Sequence, residues 1–256
     1  MRTLFTLLLM LSAAALSSAA DFRIETRVYA AGESEPVSQS VTLFADGIAY
    51  DFRDRDHRVT IFRRGMGSKP GRFVLLDTNG ERRTEIGGER VAVVMTKLQR
   101  WAALQDDSFL RFVGDPKFEE SFDASTGELR LVSDQLSYRL VTMPVANEEA
   151  MKELRSFLDA FSQLHTLLEA GLPPGPRMEV NRVLARRSVV PVEVELYSGE
   201  IDGEPSLRAD HLVTWILSQQ DRAKIDLANA QLAEFEEVDN AQFRGKPGHV
   251  LALDHK

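Results

Sequence analysis

Cysteine is absent from all 256 residues, so the chain offers no disulfide, no thiolate nucleophile and no lipid-modified N-terminal cysteine. Cations are outnumbered, 31 Lys+Arg against 39 Asp+Glu, for a net charge of -8. That balance removes the electrostatic basis for binding nucleic acid or an anionic membrane, because both require a cationic patch that displaces counterions. Histidine is scarce, and His57, His165, His211, His249 and His255 show no i, i+3 or i, i+4 pair of the kind that holds zinc on a helix. No G-x-S-x-G element is present, and Gly65-Met66-Gly67-Ser68-Lys69 lacks the spacing of a phosphate-binding loop. Beyond the N-terminus no apolar run is long enough to span a bilayer. No catalytic residue, metal site or cofactor is therefore assigned from the sequence.

The chain does have apolar content sufficient for a core, at 43%. Arg2, the apolar run Leu4 to Leu16 and the small residues Ser18-Ala19-Ala20 have the pattern of a secretory signal. Cleavage after Ala20 would leave 256 - 20 = 236 residues and, since Arg2 is the only charge removed, a net charge of -8 - 1 = -9. The expected organisation is a signal over 1–20, a single domain over 21–238 and a polar, loosely ordered tail over 239–256. The expected location is the periplasm or the exterior of the cell.

Turn chemistry predicts three hairpins. Asp46-Gly47 sets Leu43 opposite Tyr50 and Val41 opposite Phe52, and Asn79-Gly80 sets Phe73 opposite Ile86 and Leu75 opposite Thr84. Thr126-Gly127 predicts Phe122 opposite Leu131, with Asp123 facing Arg130. Further alternating segments begin at Phe22, Val59, Val190 and Leu207. The one-sided alternation implies an antiparallel sheet with one wet face.

Helical spacing predicts one run from about Glu89 to Val113, with Val91, Val94, Leu98 and Trp101 inward. A long helix is expected after Asn147, with a stripe of Met151, Leu154, Phe157, Leu158, Phe161, Leu164 and Leu168, and with Glu153 on its opposite face. A short helix is expected after Pro176, and another after the capping pattern Ser218-x-x-Asp221. The fold class read from these elements is α+β, a curved antiparallel sheet forming an unclosed half-barrel with helices packed on one face.

Asp51, Asp54, Asp56 and His57 are interleaved with Arg53, Arg55 and Arg58, which reads as a solvated loop between strands rather than a calcium site. Glu193 and Glu195 lie two apart on one strand face, whereas glycosidase carboxylates come from different elements across a cleft. His165 and His211 border apolar faces, where a histidine is ordinarily a hydrogen-bonded core group.

The strand series Val41–Phe52, Val59–Phe62, Arg72–Asp77 and Arg82–Ile86, with the later Val190–Leu196 strand after a helical stretch, resembles the periplasmic outer-membrane lipoprotein carriers of the LolA-like group and their lipid-binding relatives. The resemblance covers about residues 22–217 and departs in having no helix before the first strand. It implies an unclosed barrel with helices as a lid over an apolar cavity. The expected function is non-enzymatic binding of an acyl chain, a lipoprotein or another apolar ligand, with Leu43, Tyr50, Phe52, Phe73, Leu75 and Trp215 as lining. The alternatives are an envelope structural or interaction protein with a filled core, partnered by another envelope protein, and, third in order, a hydrolase assembled from distant segments.

Overall fold

The computed structural model describes residues 20–65, 70–169 and 171–244. Residues 1–19 of the signal expected over 1–20, the Met66–Lys69 part of the glycine-containing loop and the tail beyond Arg244 lie outside the described residues. Six strands come first: β1 (Phe22–Ala30), β2 (Ser38–Ala45), β3 (Ile48–Arg53), β4 (Arg58–Arg63), β5 (Arg72–Asp77) and β6 (Arg82–Gly87). Helices α1 (Gly88–Ala103) and α2 (Ser108–Gly114) follow, then β7 (Glu119–Asp123), β8 (Glu128–Val132) and β9 (Leu136–Pro144). Next come α3 (Glu148–Glu169), α4 (Gly175–Arg187), β10 (Val189–Ser198) and β11 (Leu207–Thr214). The described chain ends with α5 (Gln219–Glu234), β12 (Glu236–Glu237) and α6 (Asn240–Arg244).

All the strands form one sheet in the order β12-β6-β5-β4-β3-β2-β1-β11-β10-β9-β8-β7. Two meanders thus meet where β1 pairs with β11, and the sheet does not close on itself. Its pairing is antiparallel except for β12 against β6. None of the described helices is long and apolar enough to cross a membrane.

Two of the predicted hairpins have the predicted register. Asp46 and Gly47 both take positive φ, 52° and 72°, which a two-residue turn of matching twist requires, and Leu43 faces Tyr50. Phe73 faces Ile86 across the second hairpin. The third is shifted by two residues: Phe122 faces Leu129, and Asp123 faces Glu128 across a four-residue loop. The Asp123 carboxylate accepts from the Ser125 N–H at 2.8 Å, and the Gly127 N–H donates to the Asp123 carbonyl at 2.8 Å, so side-chain bonding enlarges the turn. A shift of two keeps every side chain on its face. Arg130 consequently pairs with Glu128, at 2.6 Å, and not with Asp123.

The helical run expected to continue to Val113 is broken into α1 and α2. The Asp107 carboxylate accepts from the Leu110 N–H at 2.9 Å and starts a new helix. Trp101, expected inward, is 45% exposed. The Ser218 and Asp221 pattern forms a complete capping box at the start of α5. In the segment expected to be a loose tail, Asn240–Arg244 forms α6 and buries Phe243.

Packing occupies both faces of the sheet. On the inner face, Phe22, Phe44, Phe62, Phe73 and Ile86 pack with Val91 and Met95 of α1 and with Met151, Leu154 and Phe157 of α3. The Phe22 and Phe44 rings stack at 4.1 Å, and Phe157 meets Phe44 edge-on at 5.5 Å. Toward the other edge, Leu129, Leu131, Tyr138 and Leu140 pack under Val180, Val183 and Leu184 of α4.

The single wet face expected from the alternation is corrected by α5 and the residues leading into it: Leu217, then Ile225 and Ala228 of α5, cover Leu43, Tyr50, Ile61, Val74 and Leu76 on the outer face. The continuous apolar stretches Val59–Phe62 and Phe73–Leu76 carry apolar side chains at both parities, as strands buried on two sides do. Beyond α5 the outer face is charged: Arg139 binds Glu195 at 2.6 Å, and the Tyr197 hydroxyl donates to the same carboxylate at 2.6 Å. Glu153 is likewise corrected: it is buried, because it lies one turn before Phe157 on the same flank of α3. Burial pushes its carboxyl up, and its Oε2 has no hydrogen-bond partner.

Candidate functional site

Between the two inner-face cores lies a stretch of sheet that the helices do not seal. The register Ile24↔Val213, Val28↔Ala209 and Leu207↔Leu196 places Val28, Val194, Leu196, Leu207, Ala209 and Val213 on the inner face. All of them keep solvent access, and Leu207 is 39% exposed. By contrast Phe73 and Leu140, on either side, are essentially inaccessible. Leu158, Phe161 and Leu168 of α3, packed at the margin of the inner core, are also only half-buried. This half-buried apolar strip of sheet, packed at its margins against the two cores, is the trough.

One row across the trough floor is polar. Thr26 pairs in register with Ser40 on one side and His211 on the other, and the β2–β3 register carries the row on to Arg53. Thr26 Oγ1 and His211 Nδ1 share a hydrogen bond at 2.9 Å. Burial depresses the His211 pKa to about 4, with Arg177 adding to the depression against Asp210, so the ring is neutral at pH 7. The ring nevertheless keeps solvent access.

Behind this row, Asp51 accepts from Thr42 Oγ1 at 2.8 Å while its Oδ2 has no partner. Burial pushes the Asp51 carboxyl up, against the pull of Thr42 and Arg53. Above the row, His165 of α3 is depressed first by burial and then by Arg177, with Arg53 adding to the effect. Arg177 of α4 shows the same combination as His211: its surroundings depress its pKa, yet its side chain is accessible. Its electrostatic neighbour is Tyr138.

The six residues expected to line one cavity fall on opposite faces. Leu43, Tyr50 and Phe52 are on the outer face under α5, where the Tyr50 hydroxyl donates to Asn229 at 3.3 Å and the Lys224 ammonium lies 5.5 Å from the Phe52 ring centre. Phe73 and Leu75 belong to the sealed inner core. The cause is the register Tyr50↔Ile61↔Val74, which sets Phe73 one residue out of phase with Tyr50. Trp215 alone of the six borders the trough, with its ring 5.5 Å from Phe22.

A separate cleft of about 310 Å³ lies beside α5, lined by Phe52, Val59, Leu227, His57, Arg58 and Lys224 among others. Two of its cations already sit over rings, Lys224 over Phe52 and Arg58 over Phe243 at 4.6 Å. A slot of about 10 Å³ at Phe44, Phe157 and Glu153 has room for about one water.

Among the described residues no group of three or more histidines or carboxylates is placed to hold a metal ion. Arg53 pairs with Asp56 at 3.6 Å, and Glu195 is engaged by Arg139. Sequence reasoning singled out His165 and His211 but missed Arg177, Thr26 and Ser40. The register through Thr26 could have found the latter two, whereas nothing local marks Arg177. No protein-family model matches the chain, and no curated protein matches it.

Proposed function

We propose that this is an exported, non-enzymatic binding protein that holds an acyl chain or similar apolar ligand in the trough between the inner face of the sheet and α3 and α4. The observation that carries the reading is the set of half-buried apolar side chains, Val194, Leu196, Ala209 and Val213 of the sheet with Phe161 and Leu158 of α3, between two sealed cores. Apolar surface left accessible inside a concavity has a favourable transfer free energy available to a ligand. The resemblance to LolA-like carriers supports the same reading, and the signal-like N-terminus supports export. Catalysis has less support: the neutral His211 is bonded to the Thr26 hydroxyl, but no third group among the described residues orients the ring.

The test is titration with cis-parinaric acid, following its fluorescence and energy transfer from Trp215. Saturable binding with quenching of Trp215 is expected. Its absence in a folded protein would remove this reading and favour an envelope interaction protein.

A further inference from the structure

We propose that cleavage between Ala20 and Asp21 creates an α-ammonium on Asp21 that is bound by the buried carboxylate of Glu153, so that removal of the leader completes the inner core. The proposal rests on the export half of the reading above and adds what export does to the fold.

Glu153 is 6% exposed, and its Oε2, sealed from solvent, has no hydrogen-bond partner. The residue lines the slot of about 10 Å³ with Phe44, Phe62, Phe157 and Arg64. A carboxyl so placed is costly to ionise unless a cation meets it. Burial accordingly raises its pKa, the Ala20 N–H and Arg64 oppose the rise, and Glu149 and Asp21 add to it. Arg64 pairs with Glu149 at 3.5 Å and makes no bond to Oε2.

The start of β1 lies against this slot. Phe22 pairs in register with Phe44 and stacks on its ring at 4.1 Å, and Phe44 meets Phe157, one turn beyond Glu153, at 5.5 Å. Ala20 packs on the same core, and its N–H donates to the Glu153 carboxylate. Between them, Asp21 turns its own carboxylate to Arg222 of α5, at 2.9 Å.

The expected cut removes Ala20, and with it the donor that Glu153 has among the described residues. The new terminus stands one residue along and is an ammonium with three N–H groups in place of one amide. A charge-assisted bond then replaces a neutral one, and the buried carboxylate gains a cation. Before the cut the core holds an uncompensated acid, and after it an ion pair.

The experiment uses the chain from Asp21 to Lys256, released with a free amine from a cleavable N-terminal fusion. Competitive labelling with trace acetic anhydride across pH, read by mass spectrometry of the N-terminal peptide, gives the pKa of the α-amine. It should lie roughly a pH unit or more above the ordinary value of about 8. Glu153→Gln should return it to about 8, whereas Glu148→Gln, at an exposed acid of the same helix, should leave it raised. The chain acetylated at Asp21 should unfold at lower urea than the free-amine chain at pH 7. That difference should shrink as pH rises through the raised value, because an amine held by a partner loses its contribution when it deprotonates.

An ordinary pKa in the unmodified protein would overturn the pairing and leave the slot to a water. A raised value that survives Glu153→Gln would overturn it as well. Since the first measurement needs no variant, it holds even if Glu153→Gln misfolds. N-terminal sequencing of the exported protein separates the two readings. A first residue other than Asp21 would overturn the cut and its coupling to the core, while the pairing is judged independently on the released chain.

Discussion

Along one face of a single sheet, Phe73 and Leu140 are sealed under helices, whereas Val194, Ala209 and Val213 between them keep access to solvent. The strands, their alternation and their hydrogen bonding are the same in both regions. What differs is what lies above. The ends are filled by Phe and Leu from sheet and helix alike, while Val194, Leu196, Ala209 and Val213 of the middle strands pack only at the margins of the two cores and stay half-buried. Stability is thereby concentrated at the ends, and the middle is where binding is proposed.

The largest effect expected from this contrast is at Phe157. It is buried against Phe44 and Phe62, so Phe157→Ala should cost about 3–5 kcal/mol in urea unfolding. Val194→Ala, across the trough, should cost about 1 kcal/mol or less, since its side chain is only partly withdrawn from water. Equal losses would show the middle to be packed as tightly as the ends.

Much of the sealed region was legible in the sequence. Asp46-Gly47 and Asn79-Gly80 fix their hairpins because the turn and the apolar parity agree, and Ser218 with Asp221 marks the start of α5 through a local bond. The trough was not legible, because Ala209 and Leu140 present the same inward alternation whether or not a helix covers them. The face of α5 was missed for a different reason: the two-sided apolar runs at Val59–Phe62 and Phe73–Leu76 were read as one-sided. Arg177 is ordinary in sequence and becomes distinctive only when its three helix-mates find carboxylates and it does not.

Overpacking separates the two regions next. Leu140→Trp puts volume into a site with none to spare and should cost about 1–3 kcal/mol. Ala209→Trp should leave the urea midpoint nearly unchanged and abolish binding of cis-parinaric acid, because the indole occupies the trough. Leu75→Trp belongs with Leu140→Trp, since Leu75 lies in the sealed core. If Ala209→Trp destabilised as much as Leu140→Trp, the middle of the sheet would be a core.

The smallest effect, and the one most specific to the trough floor, is the pH dependence set by His211. Its pKa falls from the ordinary 6.5 to about 4 in the folded chain, chiefly through burial. Above pH 6.5 the ring is neutral in both folded and unfolded states and contributes nothing to the slope. As pH falls from 6.5 toward 4, the unfolded chain takes up the proton and the folded one does not, so folding stability is lost across that window and levels off below it. Because the ring keeps some solvent access, the loss is discounted to about 1 kcal/mol. Asp51, Asp159 and Glu153, whose carboxyls are raised, act in the opposite sense, gaining stability as pH falls. They are present in both proteins of a comparison with His211→Gln, which keeps a hydrogen-bonding group for Thr26. Urea unfolding of the two between pH 7 and 4.5 should show the unmodified protein losing more stability than the variant. Parallel pH profiles would place His211 in ordinary solvent, and the trough floor would then be a surface rather than the wall of a concavity.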